Sequence, residues 1–310
     1  MSYLFDNAQG KWRLSNQVYT DGSGNGYTLT FAGTPAAATG HAGDANGAAN
    51  LNGSSKYLYI ADASAANLDI TGNLSISAWI YLNAVGGGLY HMIAAKLSTS
   101  GNYSYDFHVD PNGNLKARLS SNGTALTSVI ATTVLTTGTW YHVAVVYDGT
   151  DIRLYLNGSL DCTPVSYSSG IYNSTADFCI GIASDKTSHT INGVVDDVAV
   201  WNRALTTSEI TALYNLREDF AIAGSLTGTI KDKNGTAVNC STYNVRVNVY
   251  QKGNSTAAPL KTALITSSDG TWSISGLTAG IKYCMTFEYE GSYTPTSETD
   301  IAGQEFLTAA

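Results

Sequence analysis

The chain has 310 residues, enough for about two domains, and carries 16 Lys and Arg against 24 Asp and Glu for a formal net charge of -8. That balance offers no basic footprint for nucleic acid, and no apolar run reaches the roughly 20 residues of a membrane-spanning helix. With 31 glycines and charged residues at only 13%, and with Ser, Thr and Tyr abundant, the composition predicts short strands and tight turns.

The opening MSYLFDNAQGKWRL contains no continuous apolar segment of the signal-peptide kind. The expectation is a mature or recombinant product, or a virion protein released by lysis. Residues 21–26, DGSGNG, place oxygen-bearing side chains first, third and fifth with Gly sixth, like the start of a calcium loop. The closing glutamate and flanking helices of such a loop are missing, so Asp21 is a calcium candidate with a turn as the competing reading.

From residue 74 the pattern alternates. In LSISAWIYL (74–82), Ile76, Ala78 and Ile80 oppose Trp79 and Tyr81. Residues 86–107 are Gly-rich and offer Tyr90, His91 and Tyr103 on a hairpin. Tyr105, Phe107 and Val109 oppose Asp106 and His108; Leu115, Ala117 and Leu119 oppose Lys116 and Arg118. Next, GTWYHVAVVYDGTDIRLYLNGSLD (138–161) reads as an antiparallel meander, because Asp-Gly and Asn-Gly supply the positive φ angles of tight hairpins. Its first strand is apolar on both sides, whereas Ile152, Leu154 and Leu156 oppose Arg153 and Tyr155. One helix is predicted, TTSEITALYNLRE, with Thr206 or Thr207 as cap and Ile210, Leu213 and Tyr214 as its stripe. A fresh set of strand patterns begins near residue 218, so the domains are expected at 1–217 and 218–310.

Three segments, LSISAWIYL, GTWYHVAVVYDGTDIRLYLNG and GVVDDVAVWNRALTTSEITALYN, resemble the concanavalin-like laminin G family over nearly all of residues 3–217. The resemblance implies an all-β fold, a two-sheet jelly roll of roughly a dozen strands that serves lectins, adhesion modules and some glucanases. It also implies a structural Ca²⁺ on the outer sheet beside the final strand, at the position of Asp196 in VVDDVAVW. The C-terminal stretch, with Asn234-Gly235, Asp269-Gly270-Thr271 and GLTAGIKY, resembles the carboxypeptidase-regulatory-like or transthyretin-like β-sandwich, which implies a spacer or assembly surface.

Catalytic patterns are missing. Glucanases of this fold use paired glutamates, and residues 1–208 contain none, the first being Glu209. No Gly-x-Ser-x-Gly elbow occurs, and His41, His91, His108, His142 and His189 lack zinc-protease spacing. The expectation is a non-enzymatic protein, an aspartate pair being the sole route to glycan chemistry. Cys162, Cys179, Cys240 and Cys284 lack CxxC spacing, and Cys179 and Cys284 fall on the outward side of their strands. Outward free thiols are liabilities. Of three possible pairings, Cys162 with Cys179 and Cys240 with Cys284 gives each domain a staple and suits an oxidising compartment.

The polar sides of the strands combine rings with planar charged donors, the mixture that binds sugars. Trp79, Tyr81, Tyr90, Tyr103, Asp106, His108, Arg118, Arg153 and Tyr155 are therefore the candidate ligand-binding residues, with consecutive strands of a jelly roll free to alternate sheets. The expected partner is a glycan or glycosylated surface outside the cell, at a cell surface or on a virion. The alternative is a structural protein of a virion or surface assembly that contacts neighbouring protein subunits and binds no sugar.

Overall fold

The structure is a computed structural model that describes residues 5, 7–86, 88–98 and 101–215 with their side chains. Beyond these it describes Ser268 and the backbones of six strands between 223 and 308. The chain divides into two compact units, 1–220 and 221–310.

In chain order the first unit contains β1 (Ala8–Trp12), β2 (Thr30–Ala32), β3 (Ala36–Ala38), β4 (Ala48–Asn52), β5 (Tyr57–Ile60), β6 (Leu74–Leu82), β7 (His91–Leu97) and β8 (Tyr103–Val109). There follow β9 (Asn114–Leu119), β10 (Thr127–Val134), β11 (Trp140–Tyr147), β12 (Asp151–Leu156), β13 (Ser159–Leu160), β14 (Val165–Ser166), β15 (Phe178–Ile180), β16 (Asn192–Trp201) and the helix α1 (Thr207–Asn215). They form two antiparallel sheets. One has nine strands in the order β13-β12-β11-β6-β16-β4-β3, with β1 added to β16 and β14 to β12; the other has seven, β10-β9-β8-β7-β15-β5-β2.

One core lies between the sheets, built from the alternating apolar sides read in the sequence. Ile76, Ala78 and Ile80 of β6, Val143 and Val145 of β11 and Ile152 and Leu154 of β12 meet Tyr105 and Phe107 of β8, Leu115 and Ala117 of β9 and Phe178 and Ile180 of β15. A second, smaller core was not expected. Ala144 and Val146 of β11, Tyr155 of β12 and Ala199 and Trp201 of β16 pack on the outside of the nine-stranded sheet beneath Leu205, Ile210 and Leu213. Each large side chain so buried contributes about 1.5–3 kcal/mol, so α1 is a third layer that its own sequence stripe requires.

The helix start is fixed by a reciprocal cap. Glu209 donates its backbone N–H to Thr206 Oγ1 at 3.2 Å, while the Thr206 N–H donates to Glu209 Oε2 at 2.8 Å. The quoted hairpins form as their turn residues demand. Asn157 and Gly158 both hold positive φ between β12 and β13, and Asp148 accepts N–H donors from Thr150 and Asp151 ahead of β12.

The second unit contains β17 (Ala223–Thr229), β18 (Val245–Gln251), β19 (Lys261–Ile265), β20 (Thr271–Thr278), β21 (Lys282–Tyr289) and β22 (Phe306–Thr308). β17 pairs with β20, and β19-β18-β21-β22 form an antiparallel sheet. The expected pairing of Cys240 with Cys284 lies outside the described residues. The expected Cys162–Cys179 bridge does not form, for both are free thiols. Cys162 Sγ accepts the N–H of Leu154 at 3.1 Å beside the nine-stranded sheet. Cys179 faces outward from β15 in the other sheet, yet it is buried, and burial pushes its thiol up to about 12. There it packs as a small apolar side chain.

Candidate functional site

The polar sides of the strands divide between the two outer faces. Trp79, Tyr81, Arg153 and Tyr155 project from β6 and β12 on the nine-stranded face. Asp106, His108 and Arg118 project from β8 and β9 on the seven-stranded face, where Tyr90 joins them.

On the nine-stranded face the expected recognition residues do other work. Tyr155 is 3% exposed in the core under α1, its hydroxyl 3.4 Å from Thr207 Oγ1. Trp79, 8% exposed, is stacked between His41, ring centroids 4.2 Å apart, and Tyr214 at 5.7 Å. Arg153 donates to Asp148 and, at 2.7 Å, to Asp151, so its fork holds the hairpin turn and keeps the Asp148 carboxyl well below the usual range against the opposing effect of burial. Tyr81 is half-buried beside Trp140, centroids 5.7 Å apart. Beneath this layer His142 lies 2.9 Å from Ser77 Oγ, and burial, with His41 nearby, pushes its pKa down to about 3. It is a neutral core histidine.

A carboxylate pair marks the same face. The early part of β16 pairs with β4 and the late part with β1, and between them the ladder to β6 slips at Asp196–Ala199, with Asp197 at φ 48°. Val195 and Val198 both point into the core, so the bulge sends Asp196 and Asp197 outward together. His41 meets them from 155 residues away, its Nδ1 3.0 Å from Asp196 Oδ2 and 3.6 Å from Asp197 Oδ2. A Cβ at Gly40 would fall against Asp44 Oδ1 and 2.9 Å from Asp196 Oδ2, so a side chain there would displace the carboxylates. Asp196 Oδ1, Asp197 Oδ1 and His41 Nε2 are buried without a hydrogen-bond partner. Burial first and the Asp196 charge second push the Asp197 carboxyl well above its usual range. His41, Asp196 and Asp197 bring ligand atoms within 4.8 Å of one another. Orphaned oxygens and two crowded carboxylates fit a divalent cation. Asp21 differs. Its oxygens accept the N–H groups of Lys11, Ser23 and Tyr27 and the Ser23 hydroxyl, so the carboxylate is spent on ordering its own loop.

On the seven-stranded face the strand register sets Asp106 opposite Arg118 and His108 opposite Lys116. Asp106 is fully buried. Its Oδ1 lies 2.8 Å from His108 Nδ1, and its Oδ2 accepts Arg118 Nε at 2.8 Å with Nη2 at 2.6 Å. Burial opposes ionisation of Asp106, but His108 and then Arg118 outweigh it and hold the carboxyl below its usual range. The carboxylate therefore keeps a proton on His108 Nδ1, so Nε2 is the ring's unused nitrogen. That Nε2 is buried without a partner. Tyr90 stands edge-on to His108, centroids 5.4 Å apart, and to His189 at 4.9 Å, with the Arg118 guanidinium 5.9 Å from its ring. Tyr103 lies apart from them, packed on Met92, Ala95, Leu97 and Ala183.

Sequence reasoning missed His189 and His41 as partners, because each arrives on a loop far along the chain from the residues it meets. His189 is held at φ 59°, in the left-handed region, with its Nδ1 2.7 Å from Ser188 Oγ. Since Ser188 donates its hydroxyl to Asp185, the Ser188 oxygen accepts from His189 Nδ1, and Nε2 is the acceptor. Burial, then Arg118, lowers the pKa of His189 and favours this neutral form.

Two packed antiparallel sheets closed by a strand and a short helix define a concanavalin-like jelly roll. Residues 52–211, just over half of the chain, match the laminin G-like model of the concanavalin A-like lectin/glucanases superfamily, and the chain belongs to that family. Among solved structures it resembles domain 4 of the extracellular arabinanase AbnA from Geobacillus stearothermophilus, determined with arabinotriose. Identity is 20% over 67% of this chain and 98% of that one, with a TM-score of 0.52. It also resembles the binding domain of botulinum neurotoxin DC, determined with rat synaptotagmin II, at 14% identity over 96% of this chain and 76% of that one and a TM-score of 0.55. A botulinum neurotoxin type C structure, whose description makes cell entry depend on two ganglioside molecules, matches at 15% identity over the same shares of the two chains, again with a TM-score of 0.55. No curated protein sequence matches the chain.

Proposed function

We propose that the jelly roll is a non-catalytic binding module for a glycan or glycosylated surface, and that its seven-stranded face is the binding surface. The observation that carries this reading is the convergence of Tyr90, Asp106, His108 and Arg118, with the orphaned Nε2 of His108 among them. Rings cover the apolar side of a sugar, and fixed planar donors and acceptors select its hydroxyls. The neighbours determined with arabinotriose or tied to gangliosides support a binding role for this fold.

A catalytic reading would need two carboxyls flanking an open cleft. Asp196 and Asp197 are adjacent, but their side chains are only 3% and 6% exposed and His41 closes over them. That pair suits an ion better than a glycosidic oxygen. Asp196 and Asp197 would hold a divalent cation such as Ca²⁺ through their carboxylate oxygens, which would neutralise the pair, while His41 remains a hydrogen-bond partner of Asp196. We further read the C-terminal unit as the spacer or anchor that its resemblance to carboxypeptidase-regulatory-like sandwiches implies, and place the whole chain outside the cell, at a cell surface or on a virion.

A glycan array of the full chain, run with and without Ca²⁺, tests the module, followed by calorimetry on the saccharides bound. Tyr90→Ala and Arg118→Ala are each expected to weaken binding by about 1–3 kcal/mol. An array without a hit would overturn the reading and leave both units as protein–protein tiles.

A further inference from the structure

We propose that the seven-stranded face selects an acidic saccharide, one whose ring carries a carboxylate beside its hydroxyls; the inference rests on the saccharide-binding reading above. Two sets of unused groups meet here, and they ask for opposite partners.

The first set accepts. Asp106 keeps a proton of His108 on Nδ1, and Ser188 does the same for His189, so Nε2 is the nitrogen each ring leaves unused, an acceptor in the imidazole. His108 Nε2 has no donor and is fully buried. Because the atom has no exposed surface, a ligand hydroxyl satisfies it through one ordered water rather than by direct contact.

The second set is cationic. Arg118 spends Nε and one contact of Nη2 on Asp106, which leaves Nη1 and the outer edge of the guanidinium free to donate. Lys116 sits across from His108 on one side and Ile130 on the other, and among the described residues it has no ion-pair partner. Two cations stand against the single carboxylate of Asp106, in a protein whose net charge is -8. The carboxylates of Asp110 and Asp185 make no ion pair with either cation, being engaged by their own loops. Asp110 accepts the N–H groups of Asn112 and Asn114, and Asp185 accepts those of Thr187 and Ser188.

A neutral sugar would satisfy the imidazoles and leave Lys116 without an anion and the free Nη1 of Arg118 without an acidic acceptor; a simple anion would do the reverse. A sugar acid answers both. The Tyr90 ring and Ile130, 48% exposed beside Lys116, supply apolar surface for its C–H face.

The test is calorimetry of the full chain with a panel of oligouronates and their carboxyl-reduced counterparts, which differ only at the acid. The acidic member of a pair is expected to bind about tenfold tighter at low salt, the advantage shrinking as salt rises. Lys116→Gln is expected to bring the acid-to-neutral ratio down several-fold. Preference for the carboxyl-reduced sugars, equal binding of both, or a ratio indifferent to Lys116→Gln would overturn the acid selectivity while saccharide binding stands. No binding to any saccharide, on this panel or the array, would overturn both.

Discussion

Replacing Asp106 by asparagine keeps the shape of the side chain and removes its charge, and the structure dictates three consequences. The carboxylate takes two contacts from Arg118 and one from His108 Nδ1 while buried. An amide has one accepting oxygen and one donating nitrogen, so one of those partners meets a donor instead. Breaking a fully buried ion pair costs about 3–5 kcal/mol, but the Arg118 side chain is 20% exposed and can turn to water, which lowers the expected loss to about 2–4 kcal/mol. The folded carboxyl titrates below its ordinary value, so its contribution is fully present above the unfolded value near 4 and disappears as pH falls through the folded one. Urea unfolding from pH 7 to pH 3 should therefore show a gap between wild type and Asp106→Asn that is full above about pH 4 and narrows progressively below it. If the new amide nitrogen faces His108, the ring must move its proton to Nε2, and nitrogen-detected NMR of the imidazole would record that switch. A gap below about 0.5 kcal/mol at pH 7, or one that persists unchanged to pH 3, would refute the account of Asp106 as a buried ionic anchor.

Tyr155→Ala is expected to cost about 3–5 kcal/mol in urea unfolding, as for other buried aromatic truncations, and Tyr155→Phe much less, since its hydroxyl reaches Thr207 only at 3.4 Å; a loss under about 1 kcal/mol for the alanine variant would remove α1 as a covering layer. Peptide mapping of unreduced protein should find Cys162 and Cys179 unlinked, with Cys162 alkylated first and Cys179 only on unfolding, because burial raises its thiol to about 12; a linked peptide would contradict the structure. Adding Ca²⁺ to chelator-treated protein should raise the Tm, by the equivalent of about 2.7 kcal/mol at a hundredfold excess over Kd, and Asp196→Asn should abolish the rise. An unmoved wild-type Tm would take the cation out of the proposal.

Periodicity in the sequence assigns side chains to the inside or outside of a strand, and it did so correctly for β6, β8, β9, β11 and β12. It does not say which sheet a strand joins, nor what lies over the sheet's outer face. Hence Trp79 and Tyr155 read as a recognition surface when they are the floor beneath α1, although Ala144 and Val146 on the far side of β11 already signalled a second apolar layer. Thr206 was legible as one of two cap candidates, and its reciprocal bond with Glu209 came only with the structure. The Asp196–Asp197 pair was half legible, since strict alternation would send Asp197 inward and only the bulge turns it out. His41 and His189 carried no local signal, because their roles come from contacts made by distant loops.

The two outer faces follow from where the chain leaves the sandwich. After β16 it must continue from the middle of the nine-stranded sheet, and α1 turns back over that sheet, consuming the outer sides of β11, β12 and β16 in packing. Rings that land there, such as Trp79 and Tyr155, become structural whatever their chemistry. No helix covers the opposite sheet among the described residues, where loop 183–190 bonds to β7 and reaches Tyr59 of β5 while Lys116, Arg118 and Ile130 of β9 and β10 keep access to water. Polar groups near such an edge can be held by the protein and still be completed by a ligand. Asp106 and Ser188 hold two imidazoles and a guanidinium in fixed orientation there, with hydrogen-bonding capacity left over at each. Preorganised, partly unsatisfied groups of this kind lower the ordering cost of binding, which a sealed face under a helix cannot do.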